Sequence, residues 1–74
     1  MLEMQDLQSN DTFYVCKDGR CTEYRAFGDA YYEAANIITV YALDVETKEI
    51  VRFVNNTDYP DSAPKLYRED QYGS

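Results

Sequence analysis

The stretch DAYYEAANIITVYALDV, residues 29–45, decides the fold. Its two halves ask for different secondary structure. Asp29 suits a helix N-cap, and the alanines with Glu33 are helix formers. Ala30, Tyr31, Ala34 and Ile38 recur at helical spacing, which turns them inward and leaves Tyr32, Glu33 and Asn36 outside. The spacing predicts a short helix running to Asn36, able to lie close on a sheet through its small alanines. From Ile37 to Val45 the residues become β-branched and aromatic, which predicts a long central strand.

Upstream, Thr12–Cys16 reads as a strand and Cys21–Arg25 as its return. Between them Lys17-Asp18-Gly19-Arg20 places Asp-Gly at the centre of a type I′ turn. A two-residue loop sets the register. Cys16 faces Cys21, Tyr14 faces Glu23, and Thr12 faces Arg25. Phe13, Val15, Thr22 and Tyr24 fall on the opposite, more apolar side, which becomes the core face.

Downstream, Glu46-Thr47-Lys48 reads as a turn with Lys48 in the left-handed position, and Glu49–Val54 as the partner strand. Residues 55–74 hold two prolines, four acids and three tyrosines. They read as an extended arm or a short edge strand. Residues 1–10 read as a frayed polar arm. The order is β-β-α-β-β plus a C-terminal tail. That is an α+β domain, with one helix packed on an antiparallel sheet of about four strands. Its core spans 11–54 within a single domain, 1–74.

Charge narrows the function. Fourteen acids stand against seven cations with no histidine, giving a net charge of −7 and a pI near 4.2. A phosphate backbone would repel this surface, so direct nucleic-acid binding is not expected. A basic protein surface would attract it. The candidate contacts are Asp44, Glu46 and Glu49 around the second hairpin, with Asp58, Asp61, Glu69 and Asp70 in the tail. Outward Tyr14 and Tyr32 and tail residues Tyr59 and Tyr67 would add rigid contact area at low entropic cost. Tyr24, Tyr31 and Tyr41 are expected in or near the core.

Catalytic and metal chemistry find little in the sequence. Without histidine there is no Ser-His or Cys-His pair, and no glycine-rich phosphate loop is present. Two cysteines alone cannot build a zinc site, and no window follows a calcium-loop pattern. The expectation is a non-enzyme without cofactor or metal. Cys16 and Cys21 oppose each other closely enough for a disulfide, but a cytosol would hold them as thiols. No basic leader or long apolar run is seen, so a cytosolic protein off the membrane is expected. The small core predicts a homodimer as a source of further burial.

The chain resembles small acidic phage-encoded host-takeover proteins, among them DNA mimics. The likeness lies in its size, its −7 charge, its missing histidines and the tail runs Asp58-Tyr59-Pro60-Asp61 and Tyr67-Arg68-Glu69-Asp70. It is one of composition across the whole chain, and no family residue is carried over. It implies a non-catalytic inhibitor in the host cytosol that occupies a basic, nucleic-acid-binding surface. HU-type nucleoid proteins, RNA polymerase and nucleases are the implied targets. Lys17, Arg20, Arg25 and Arg52 keep part of the surface basic, so mimicry would cover one face. The alternative is a regulatory module that binds protein through a sheet edge or the tail, without imitating DNA.

Overall fold

A computed structural model describes residues 2–72. The first hairpin forms as its turn demands. β1 (Thr12–Lys17) and β2 (Arg20–Ala26) pair antiparallel with Cys16 opposite Cys21 and Tyr14 opposite Glu23. Asp18 and Gly19 both have positive φ, 55° and 80°, which is the type I′ signature.

The expected helix does not exist. Residues 31–34 form a strand, β3 (Tyr31–Ala34), which turns through Ala35-Asn36 into β4 (Ile37–Asp44). The helical pieces among the described residues are two single 3-10 turns, Met4–Asp6 and Pro60–Ser62. The protein is therefore an antiparallel β-fold, and the α+β assignment is corrected. The physical reason lies in β4. β2 reaches only Ala42 along one edge of β4, so the backbone of Ile37–Thr39 needs another partner. β3 supplies it. A helix of seven residues would gain little to offset its nucleation cost, and the tyrosine pair favours an extended backbone.

The far edge of β4 pairs along its length with β5 (Ile50–Asn56). The β4–β5 turn is closed by Asp44, whose Oδ1 accepts from the backbone N–H of Glu46 and Thr47 at 2.9 and 3.1 Å. Lys48 occupies the left-handed position at φ 66°, as its place in the turn predicts. The tail returns as a short edge strand, β6 (Leu66–Tyr67), on the free side of β1. Leu2 bridges to Leu66 beyond it.

The sheet curls strongly. Phe13 on β1 and Phe53 on β5 are three strand spacings apart, about 14 Å on a flat sheet. Their rings nevertheless meet edge to face at 5.7 Å, with Tyr24 against both. The concave face carries Phe13, Ala26, Ile38, Val40, Ala42 and Leu66, all buried. What closes it is the segment expected to fray. Leu2, Met4 and Leu7 are buried in the same core. Ser9 N–H donates to Asp29 Oδ1 at 2.7 Å, and Ala30 N–H donates to the Leu7 carbonyl at 3.0 Å. Asp29, expected as a helix cap, ties this segment down instead. Tyr31 and Tyr41, expected near the core, lie exposed on the convex face.

Candidate functional site

The candidate acids separate into two groups at opposite ends of the β4–β5 ribbon. One group surrounds the hairpin tips. β2 runs past the end of β4, so the first hairpin's tip lies beside the β4–β5 turn. Val45 N–H donates to the Glu23 carbonyl at 3.1 Å, and Arg20 approaches Glu46 at 3.7 Å. Gln71 N–H reaches Cys21 Sγ at 3.4 Å, which carries Glu69 and Asp70 to the same end. Glu46, Glu49, Glu69 and Asp70 are all exposed here. Asp44 is half-buried and spends its carboxylate on the turn, so its first duty is structural.

Asp58 and Asp61 stand at the other end. Asp58 Oδ2 accepts from Asn36 Nδ2 at 2.7 Å, which docks the post-β5 turn on the β3–β4 turn. Asp61 is exposed in the Pro60–Ser62 turn. The length of β4 puts the two groups about 24 Å apart.

The candidate tyrosines are equally divided. Tyr14 and Tyr67 face each other across β1 and β6 and are half-buried. Tyr32 is 59% exposed and Tyr59 is 66% exposed. Tyr32 lies opposite Ile38, whereas Tyr14 lies on the convex side. The eleven candidate residues therefore do not converge on one patch.

Sequence reading missed a polar cluster on the convex face. β3 is irregular between Tyr32 and Ala34, and Glu33 at that irregularity reaches across β4. Its Oε1 accepts from Arg52 Nη2 at 2.7 Å and from Thr39 Oγ1 at 3.3 Å. The Arg52 hydrogen bond is the main cause that holds the Glu33 carboxyl below its ordinary value. The same bond raises Arg52. Around this cluster Phe27, Tyr31, Tyr41 and Ile50 are exposed. These residues come from three different strands, so no spacing within one segment announces the group. On the concave side, burial and then the nearby Asp44 raise the Tyr24 phenol.

Cys16 and Cys21 are joined as a disulfide, with Cα atoms 3.9 Å apart. The structure thus differs from the thiol expectation: the turn opposes the two residues at a narrow position of the ladder, which permits the bond, whereas the expectation rested on a reducing cytosol. Among the described residues no three Cys, Asp or Glu side chains converge where a metal could sit. No helix among them is long and apolar enough to cross a membrane. No family model, curated protein or solved structure matches the chain.

Proposed function

We propose that the chain is a non-catalytic inhibitor that occupies a basic, nucleic-acid-binding surface of a host protein in the host cytosol. One observation carries this reading. Of the fourteen carboxylates only Glu33 and Glu46 take part in ion pairs among the described residues. The negative charge is thus largely unneutralised and faces solvent, spread over a body 38 Å long. That length equals about eleven steps of one duplex strand at 3.4 Å each. Carboxylates at both ends would meet basic arms or a basic groove by electrostatic steering, with exposed tyrosine adding contact after encounter.

An HU-type nucleoid protein is the first target to test. Association and dissociation rates should be measured at several salt concentrations with duplex DNA as competitor. Neutralising Glu46, Glu49, Glu69 and Asp70 together should slow association by about tenfold or more at low salt and leave dissociation nearly unchanged. Salt-independent binding that excess DNA does not disturb would end the mimicry reading.

A second reading rests on β5. Among the described residues it pairs only with β4. Bonds from Asp44 N–H to the Glu49 carbonyl and from Thr57 N–H to the Asn36 carbonyl fix the ladder's phase. That phase points the backbone groups of Ile50, Arg52 and Val54 away from β4, toward an open edge. A partner strand could add there. Binding by this edge would be indifferent to DNA, which separates the two readings.

A homodimer belongs to the same proposal, through the exposed convex residues Phe27, Tyr31, Tyr41 and Ile50. Light scattering at tens of micromolar should return twice the 8.6 kDa chain mass. A monomer mass there removes the dimer.

A further inference from the structure

We propose that the Cys16–Cys21 disulfide is a thiol-exchange site, at which a positively charged low-molecular-weight thiol attacks Cys16 and Cys21 leaves. The site stands whether or not the mimicry reading does, since it concerns the bond and not the partner. Both cysteines project from the side of the first hairpin opposite Phe13 and Tyr24, so the bond lies off the buried face. Both are half-buried rather than enclosed. Access of this kind is what exchange requires, because a thiolate must reach the sulfur. The bond spans a sequence separation of 5, across a turn that holds the strands together without it. So short a span adds least to stability, and the register keeps the two sulfurs opposed for reclosure.

One contact tells the two sulfurs apart. Gln71 N–H donates to Cys21 Sγ at 3.4 Å. A hydrogen bond stabilises a sulfur more as a thiolate than within a disulfide, and exchange is faster when the sulfur of lower thiol pKa departs. Cys21 is thus the better leaving group and Cys16 the sulfur attacked. In the first step the incoming thiolate bonds to Cys16 Sγ. The S–S bond breaks, and its electron pair leaves on Cys21, which takes a proton from water. A second thiolate then attacks the added sulfur and departs with it as a small-molecule disulfide. The thiols lose two electrons, and the protein gains them as a dithiol. Charge selects the thiol. Asp18, Glu23, Glu46, Glu49, Glu69 and Asp70 are exposed at this end of the molecule. The cations here are fewer, Lys17, Arg20, Lys48 and Arg68, and Arg20 already approaches Glu46. An aminothiol is therefore drawn to the bond, and an acidic thiol is repelled.

Cysteamine and 3-mercaptopropionate form the test pair. Each rate on the folded protein is divided by the same thiol's rate on bis(2-hydroxyethyl) disulfide, which removes their difference in intrinsic reactivity. At low salt the corrected rate for cysteamine should exceed that for 3-mercaptopropionate by about threefold or more, and the gap should close as salt screens the acids. Samples trapped early with N-ethylmaleimide and mapped by mass spectrometry should carry cysteamine on Cys16 and the maleimide on Cys21. Gln71→Pro removes the backbone donor at an exposed position and should bring the two possible adducts to near-equal amounts. A bond that opens only in denaturing urea overturns the proposal. So does an equal or faster corrected rate for 3-mercaptopropionate, a first adduct on Cys21, or an unchanged adduct ratio in Gln71→Pro.

Discussion

Thr39 is polar, fully buried, and on the convex side of the sheet. It is tolerated there because Glu33 accepts its hydroxyl proton while also holding Arg52. This arrangement predicts an acid dependence of stability. The folded Glu33 pKa lies below its ordinary 4.5, chiefly through the Arg52 hydrogen bond. In that interval the unfolded chain binds more protons than the folded one, so stability rises with pH. The contribution is complete above the ordinary value and disappears as pH falls through the folded one. Denaturant melts between about pH 6 and pH 3 should show this slope, and Glu33→Gln should flatten it. An equal slope in both proteins would show that other carboxylates cause it. Other single residues were legible from the start. Asp18-Gly19 needs positive φ at both positions, and Lys48 falls on the left-handed turn site; local chain geometry alone sets both.

Elements were legible where a turn is chemically specific. The β1–β2 register follows from two residues, and every expected pair of that hairpin is present. The register permits the disulfide, which closes a loop the turn has already closed. Cys16→Ser with Cys21→Ser should therefore keep the fold and partner binding while lowering stability by about 2 kcal/mol, the loop-entropy value for so short a span. Urea melts of the two proteins measure this difference. Loss of partner binding by a folded double variant would give the bond a role in partner binding. Residues 29–36 were legible only in part. Their alanines and Glu33 match a helix, but the open edge of β4 at Ile37–Thr39 gives an extended backbone more hydrogen bonds than a lone helical turn could make. No window confined to those residues contains that information.

At the scale of the molecule, the covering layer is the N-terminal segment rather than a helix. Leu7 is 1% exposed within the core beneath the sheet. Leu7→Ala should cost about 2–5 kcal/mol, a large share of the ~4–11 kcal/mol available to a chain of this length. Thermal or urea unfolding reads the loss, and a cost below about 0.5 kcal/mol would mean that the segment is not part of the folded core. The sequence by itself determined the charge, the first hairpin with its apolar side, and the β4–β5 hairpin. These depend on local turn chemistry and on a two-residue period, both written within a few positions of the residues concerned. Only the tertiary structure decided that residues 31–34 complete an edge of β4 and that Leu2, Met4 and Leu7 close the core. It alone sent the candidate acids to two ends. Those outcomes depend on which backbone groups distant strands leave unpaired and on the curl that brings Phe13 to Phe53, and neither quantity is encoded in any short segment.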